Sequence, residues 1–190
     1  MAVDSLSDPI PQPVSGDVCD SAGDVGSVSY GPADLAAMQA ALEQARLAYG
    51  IDEVPVGAVV LDEAGQVIGA GFNRTITDHD PTCHAEIVAL RQAAKAVGNY
   101  RLPKASLFVT LEPCAMCMGA LLHARLGRVV YGATDPKTGA CGSVLSVHAN
   151  RQLNHQTQVT GGLLAQECGD LLRQFFRERR ARSKAAKAES

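Results

Sequence analysis

The sequence predicts an α/β fold of three layers, α/β/α, in which a mixed sheet of about five strands is covered by helices. Short, valine-rich apolar runs alternate along the chain with longer segments whose apolar residues recur at helical spacing. The first two runs are separated only by the turn Asp62-Glu63-Ala64-Gly65, which indicates an antiparallel hairpin. The later runs are separated by helical segments, which indicates parallel strands with right-handed crossovers.

Local signals place the elements in order. Helices are predicted from Pro32, over residues 84–97 and 114–126, and from Leu163 into the tail, and strands over residues 54–61, 66–72, 106–111, 128–132 and around Val159. The apolar residues of the first helix that share one face, and should point to the core, are Leu35, Met38, Leu42 and Ala45. Gly98 stands where a glycine commonly ends a helix.

The chain divides into an N-terminal arm and one domain. Residues 1–31 contain five Asp and no Lys or Arg, and they are rich in Ser, Gly and Pro. We expect this acidic arm to be disordered, because it has too little apolar surface to offset the entropy lost on ordering. Residues 32–190 are long enough for one domain, since a chain of this size buries roughly 70% of its unfolded surface.

The chain shows no membrane or export segment. No apolar run approaches the length of about 18 residues that a membrane span needs, and the N-terminus lacks a basic region followed by an apolar one. Six cysteines occur, and only Cys114 and Cys117 are closely spaced. In a reducing compartment such a pair favours metal binding or redox chemistry over a structural disulfide. We therefore expect a cytoplasmic protein.

Positive charge is concentrated at the C-terminal end. Residues 173–190 contain seven basic and two acidic side chains, although the whole chain has a net charge of −3. On the last helix a core-facing stripe is predicted at Leu164, Cys168, Leu171 and Phe175. Four basic residues have the same spacing but are rotated about 200° around the helix, and we call them the basic strip: Arg173, Arg177, Arg180 and Lys184. A solvated face and a surface that contacts nucleic-acid phosphates are both compatible with this pattern.

Two short motifs predict a metal site. His84-Ala85-Glu86 begins one predicted helix, and Pro113-Cys114-Ala115-Met116-Cys117 begins another. Zinc takes nitrogen and sulfur ligands, and a catalytic site keeps its fourth tetrahedral position for water. His84, Cys114 and Cys117 are therefore the candidate ligands of one zinc ion per chain. Two thiolates cancel the charge of Zn²⁺, so such a site lowers the pKa of its bound water less than a site with neutral ligands does. A nearby base is then needed to collect the proton, and Glu86 is placed to be that base.

The order H-x-E…P-C-x-x-C is a known signature of zinc-dependent nucleobase deaminases, so this reaction follows from a match to a pattern and not from spacing alone. The alternative is a structural zinc site or a redox pair. A structural site usually has four protein ligands, and Cys83 or Cys141 could supply the fourth. That interpretation leaves Glu86 without a role.

Further motifs give the chain a wider resemblance over about residues 33–185. They are Val54-Pro55-Val56-Gly57-Ala58, Phe72-Asn73-Arg74, His79-Asp80-Pro81-Thr82, Asn99-Tyr100-Arg101, Gly127-Arg128-Val129-Val130-Tyr131-Gly132 and Lys137-Thr138-Gly139. With the two metal motifs, this combination resembles the bacterial tRNA-specific adenosine deaminases of the cytidine deaminase superfamily. The resemblance implies a cytidine-deaminase-like fold, a homodimer, and conversion of adenosine to inosine at the wobble position of a tRNA anticodon.

The resemblance also implies roles for individual residues. Glu86 would take a proton from the attacking water, pass it to N1 of adenine and later protonate the departing amine. Asn73 matches a residue that contacts the base, and Asp135 matches one near the anticodon backbone. The partner would be a tRNA anticodon stem-loop, which the basic strip could help to bind. A deaminase of a free nucleobase or nucleotide, of the cytosine, guanine or dCMP type, is the alternative, and a zinc-stabilised binding module is a more distant one.

Overall fold

The computed structural model describes residues 29–188, so most of the predicted disordered arm lies outside the described residues. Within them, four helices and five strands follow in the predicted order. They are α1 (Pro32–Gly50), β1 (Gly57–Leu61), β2 (Val67–Phe72), α2 (Ala85–Val97), β3 (Ser106–Leu111), α3 (Ala115–His123), β4 (Arg128–Ala133), β5 (Gln158–Gly161) and α4 (Ala165–Ala188). None of the helices in this range is both long and apolar enough to cross a bilayer.

The strands form one mixed sheet in the order β2-β1-β3-β4-β5. β1 is antiparallel to both β2 and β3, whereas β3, β4 and β5 run parallel to one another. The sheet therefore confirms the predicted hairpin and the parallel pairing of the third and fourth strands. The parallel strands end at one edge of the sheet, where the loop after β3 and the loop after β4 lie side by side.

Side chains alternate between the two faces of the sheet and form two cores. On one face, Val60, Leu107 and Val129 are buried together with apolar residues of α2 and α3. On the other face, Val59 and Phe108 are buried with residues of α1 and α4. Helices thus cover both faces, and the predicted three-layer α/β/α arrangement is confirmed.

Two glycines in β2 allow α2 to lie close to the sheet. A Cβ atom added at Gly69 would stand 2.3 Å from the Ala89 carbonyl oxygen, and one added at Gly71 would stand 2.6 Å from the Ala89 nitrogen. Any larger residue at either position would push α2 outward. This close packing matters for function because the N-terminus of α2 carries His84.

Three predicted details were wrong. Leu35 is 38% exposed, because the buried face of α1 begins at Ala37, after the first residues of the helix. β1 begins at Gly57 and not at residue 54, since Pro55 has no N–H to donate to a neighbouring strand. α3 ends at His123 and not at residue 126, because Arg125 adopts a left-handed backbone conformation with φ of 59°.

The domain begins slightly before the predicted boundary at residue 32. The Tyr30 hydroxyl donates a hydrogen bond to the Gly161 carbonyl oxygen at 2.7 Å, and its ring packs against the α1/α4 core. Next to it, Asp34 accepts hydrogen bonds from Arg128 at 2.7 and 3.0 Å. The beginning of α1 is therefore fixed to β4 and β5 through side-chain contacts.

We expect removal of residues 1–28 to leave the melting temperature almost unchanged, because their composition offers little apolar surface to bury. Removal of residues 1–31 should lower it by a few degrees, because the Tyr30 hydrogen bond is worth about 1 kcal/mol and a domain of this size loses about 2–4 °C per kcal/mol. Thermal unfolding of both truncated proteins checks this. A drop of several degrees for the shorter deletion would mean that the arm packs on the domain.

Candidate active site

Two helix N-termini bring the predicted zinc ligands together. His84 is the N-cap residue of α2, and Cys114 is the N-cap residue of α3, both in extended backbone conformation. Cys117 lies in the first turn of α3 and is buried. Because α2 and α3 pack on the same face of the sheet, the three side chains converge.

The distances between the three side chains fit a zinc ion. The Nδ1 atom of His84 is 3.7 Å from the Cys114 sulfur and 3.5 Å from the Cys117 sulfur, and all three ligand atoms lie within 4.8 Å of one another. In a tetrahedral site with bonds of about 2.0 Å to nitrogen and about 2.3 Å to sulfur, nitrogen and sulfur are separated by about 3.5 Å. The structure thus assembles a cluster that can hold a metal, and zinc as its occupant stays a prediction.

The two thiols differ in their readiness to ionise. The hydrogen bond from Cys117, aided by His84, lowers the pKa of Cys114 below its ordinary value. The same hydrogen bond and burial raise the pKa of Cys117. The pair is therefore disposed to hold a single proton between its two sulfurs. A cation that binds both sulfurs would displace this proton.

Neither neighbouring cysteine completes a four-ligand site among residues 29–188. The Cys83 thiol donates a hydrogen bond to Asp80 at 3.2 Å, and the Cys141 thiol lies 3.6 Å from the Met118 sulfur. Both are outside the cluster of ligand atoms. The arrangement therefore favours a catalytic site with an open position over a structural one.

Glu86 lies in the first turn of α2, where it is only 4% exposed and lines a cavity together with His84 and Cys114. Burial is the main cause that raises the pKa of Glu86 above its ordinary value. A cation bound at the neighbouring cluster would act in the opposite direction. A carboxyl group in this position is suited to take up and release a proton, which a metal ligand could not do.

The cavity has a volume of about 240 Å³. Its lining includes Asn73 and Thr75 from the loop after β2, and Asp135 and Thr138 from the loop after β4. The side-chain oxygen of Asn73 accepts a hydrogen bond from the Ala85 nitrogen at 2.9 Å, which fixes the orientation of its amide. This hydrogen bond occupies the oxygen of Asn73 and leaves its N–H groups as the donors that a base could use, and contact with a base stays a prediction.

Asp135 lies at the cavity, but its carboxylate is engaged within its own loop. It accepts hydrogen bonds from the Lys137 nitrogen at 2.9 Å, the Thr138 nitrogen at 3.2 Å and the Thr138 hydroxyl at 2.6 Å. Burial alone would raise the pKa of Asp135, but these hydrogen bonds outweigh it and lower the pKa. Asp135 thus shapes the loop, and a direct contact with the RNA backbone stays a prediction.

Sequence analysis missed two buried glutamates that hold the cavity walls. Glu53, fully buried, accepts hydrogen bonds from the Ile76 and Thr77 nitrogens at 2.8 and 2.7 Å. Glu112, 2% exposed, accepts them from backbone groups of the opposite loop. For Glu112, the available signal was an acidic residue between an apolar strand and Pro113, and for Glu53 it was an acidic residue two positions before Pro55.

Beside the cavity lies a larger groove of about 880 Å³. Arg173, Arg177 and Arg180 of the basic strip line it, as does Lys137. Lys184, the fourth residue of the strip, is exposed but is not among the lining residues. Residues that line both the groove and the cavity are Val54, Leu111, Asp135 and Thr138. Three arginines of the basic strip therefore line a groove that adjoins the candidate active site.

Comparisons with known proteins identify the family of this chain. A family model for MafB19-like deaminases matches residues 33–180, so the chain belongs to a deaminase family. A tRNA-specific adenosine deaminase of Haemophilus influenzae is 51% identical over 151 residues, which cover 80% of this chain and 87% of that protein. The chain belongs to the family of tRNA-specific adenosine deaminases.

Solved structures of deaminases share this architecture. One, from work on A-to-I editing by tRNA:A34 deaminases at the wobble position of transfer RNA, is 44% identical with a TM-score of 0.69, covering 72% of this chain and 98% of that one. A guanine deaminase from Nitrosomonas europaea is 29% identical with a TM-score of 0.63, covering 78% and 86%. The same fold thus occurs in a structure from work on tRNA deaminases and in a deaminase named for a free base, guanine.

Proposed function

We propose that this protein is a zinc-dependent hydrolytic deaminase that converts adenosine to inosine at the wobble position of a tRNA anticodon. The observation that carries the proposal is a cavity with Glu86 beside the His84–Cys114–Cys117 cluster, opening onto a basic groove. Membership of the tRNA-specific adenosine deaminases supports the substrate. One Zn²⁺ per chain is the proposed cofactor, supported by the nitrogen and sulfur ligands and their spacing.

The residues of the chain divide the chemistry among them. His84, Cys114 and Cys117 would hold the zinc ion, which when bound activates a water molecule for attack on C6 of the base. Glu86 takes a proton from the water and delivers it to N1 of adenine. It then takes the second proton of the same water from the hydroxyl group that has formed on C6, and passes it to the departing amine, which leaves as ammonia. Asn73 orients the base through its amide N–H donors. The buried position of Glu86 keeps competing solvent away from these proton transfers.

The groove supports RNA as the substrate. A base that is flipped out of a loop can enter a snug cavity while its neighbouring phosphates remain outside. Arg173, Arg177, Arg180 and Lys137 line the adjoining groove, where phosphates would lie. We further propose that the protein acts on a tRNA anticodon stem-loop in the cytoplasm, and as a homodimer, as the resemblance to the family implies.

Replacement of Arg173, Arg177 and Arg180 by Gln should weaken binding of a stem-loop irrespective of its sequence. The slope of log K against log salt should become shallower by about 2–3, since each lost phosphate contact contributes about 0.7–0.9. A salt titration of wild type and triple variant measures this. Adding Lys184→Gln tests whether the strip extends past the groove.

A matched control removes three positive charges from the same helix outside the groove, at Arg179, Arg182 and Lys187. Arg179 lies over the Phe175 ring, and Arg182 pairs with Asp52. This control should retain most of the wild-type slope. Equal slopes for wild type and the groove variant would mean that the basic strip is only a solvated face.

The second candidate function is deamination of a free nucleobase or nucleotide of the cytosine, guanine or dCMP type. Its supporting observation is the similarity to a guanine deaminase structure. Ammonia release from an anticodon stem-loop, free adenosine, guanine, cytosine and dCMP discriminates between the two. We expect turnover of the stem-loop to exceed that of every small substrate. Turnover of a free base with an inert stem-loop would favour the second candidate.

A further inference from the structure

We infer that Glu112 is a positioning residue that holds the shared wall of the catalytic cavity and the basic groove, and so sets the affinity for an RNA substrate. This inference rests on the proposed function. Glu112 follows β3 and directly precedes Pro113 and Cys114, so it joins the metal-binding turn to the substrate wall. Its side chain also lines the catalytic cavity.

One carboxylate fastens both ends of the loop after β4. One oxygen of Glu112 accepts hydrogen bonds from the Asp135 nitrogen at 3.0 Å and from the Ser143 hydroxyl. The other oxygen accepts from the Cys141 nitrogen at 2.9 Å and the Ser143 nitrogen at 3.1 Å. The segment between these ends contains Asp135 and Thr138, which line both the cavity and the groove. Glu112 thus fixes the loop that forms the wall shared by the cavity and the groove.

The environment of Glu112 has no basic partner. Among residues 29–188, no lysine or arginine forms an ion pair with it. A buried carboxylate without a cation is costly unless hydrogen bonds compensate it, and here four donors of one loop do so. The loop therefore cannot leave this conformation without depriving the Glu112 carboxylate of the hydrogen bonds that compensate its charge.

We call the hydrogen bonds between Glu112 and the loop after β4 the clamp, and the backbone around Gly139 packs closely against it. A Cβ atom added at Gly139 would lie 2.5 Å from the Glu112 carboxylate and 2.5 Å from the Asp135 carbonyl oxygen. The Ala140 nitrogen also donates to the Pro113 carbonyl oxygen at 2.8 Å. A methyl group at position 139 must therefore displace the Glu112 carboxylate or the loop backbone, which gives a second way to disturb these contacts without substituting Glu112.

The test compares Glu112→Gln and Gly139→Ala with wild type in the zinc-loaded enzyme, using one anticodon stem-loop. Glutamine has one acceptor oxygen and turns N–H groups toward the remaining donors. Both variants should lower kcat/KM by about 10- to 100-fold, the size of effect that small misplacements of substrate produce. The loss should appear mainly in KM, because the wall contacts substrate and transition state alike. Ser143→Ala, which removes one donor, should shift KM in the same direction by less.

Hydrogen exchange of the backbone amides reports on the loop independently of catalytic activity. Backbone amides in residues 135–143 should exchange faster in both variants, with zinc content unchanged. The control is Thr157→Val, which removes a buried hydroxyl bonded to the Leu126 carbonyl far from the cavity. It should change neither KM nor exchange in this loop, even if it lowers the melting temperature.

Unchanged KM together with unchanged exchange of the loop amides would overturn the inference, as would loss of zinc from Glu112→Gln, which would show that Glu112 acts through Cys114. An inert wild-type enzyme would instead contradict the proposed function, and the exchange measurement would still report on the clamp.

Discussion

Replacement of Glu86 by Gln or Ala should abolish nearly all deamination while zinc and fold are retained. Proton transfer by a positioned side chain contributes about 10²–10⁴-fold per step, and Glu86 serves several steps. Glutamine has the same shape but cannot take up a proton from water, so the loss is one of chemistry and not of packing. Deamination is measured as turnover of an anticodon stem-loop, zinc by metal analysis, and the fold by circular dichroism.

The matched control for this variant is Glu167→Gln, because Glu167 also lies in the first turn of a helix but is exposed and outside the cavity. It should have wild-type turnover. If Glu86→Gln lost its zinc, Glu86 would be a ligand and its assignment as the proton carrier would be wrong. If it kept substantial turnover, another group would have to move the protons.

Replacement of Cys114 or Cys117 by Ala should remove the metal, all activity and part of the stability. A ligand present at a thousandfold excess over its dissociation constant stabilises the folded state by about 4 kcal/mol. For a domain of this size such a loss corresponds to a fall of about 8–16 °C in melting temperature. Metal analysis, with thermal unfolding in the presence and absence of a chelator, provides the measurement. The chelator should destabilise the wild type and leave both variants unaffected.

Two other cysteines provide controls for the ligand variants. Cys83→Ser retains the hydrogen-bond donor to Asp80, and Cys141→Ala removes a thiol that contacts Met118. Both should keep one zinc per chain and respond to the chelator as the wild type does. Loss of metal from either would identify a fourth protein ligand, and the site would then be structural and not catalytic.

The fold was accessible from the sequence because its main signals are local. The alternation of apolar runs placed every strand and every α-helix of residues 29–188, although not the 3₁₀ helix at Val147–Ala149. Gly98 does end α2, with a left-handed φ of 71°. The errors arose where tertiary packing decides. Leu35 has the same helical spacing as Met38, but spacing cannot show where the buried face of a helix begins.

The candidate site was only partly accessible. The spacing of His84, Cys114 and Cys117 pointed to a metal cluster, because helix starts and ligand types are visible in sequence. The roles of Glu53 and Glu112 were not visible, because their partners are backbone N–H groups of loops that are distant in sequence. The groove was invisible for the same reason, since it requires α4 to pack beside the loop after β4.

We propose above that the cavity beside Glu86 deaminates the wobble adenosine of an anticodon by hydrolysis. The most direct measurement is mass spectrometry of each nucleoside of an anticodon stem-loop after reaction with the zinc-loaded enzyme in ¹⁸O-labelled water. We predict inosine at the wobble position alone, with one labelled oxygen in each base and one ammonia released per inosine. An unchanged wobble adenosine, or deamination spread over the other adenosines of the loop, would contradict the account.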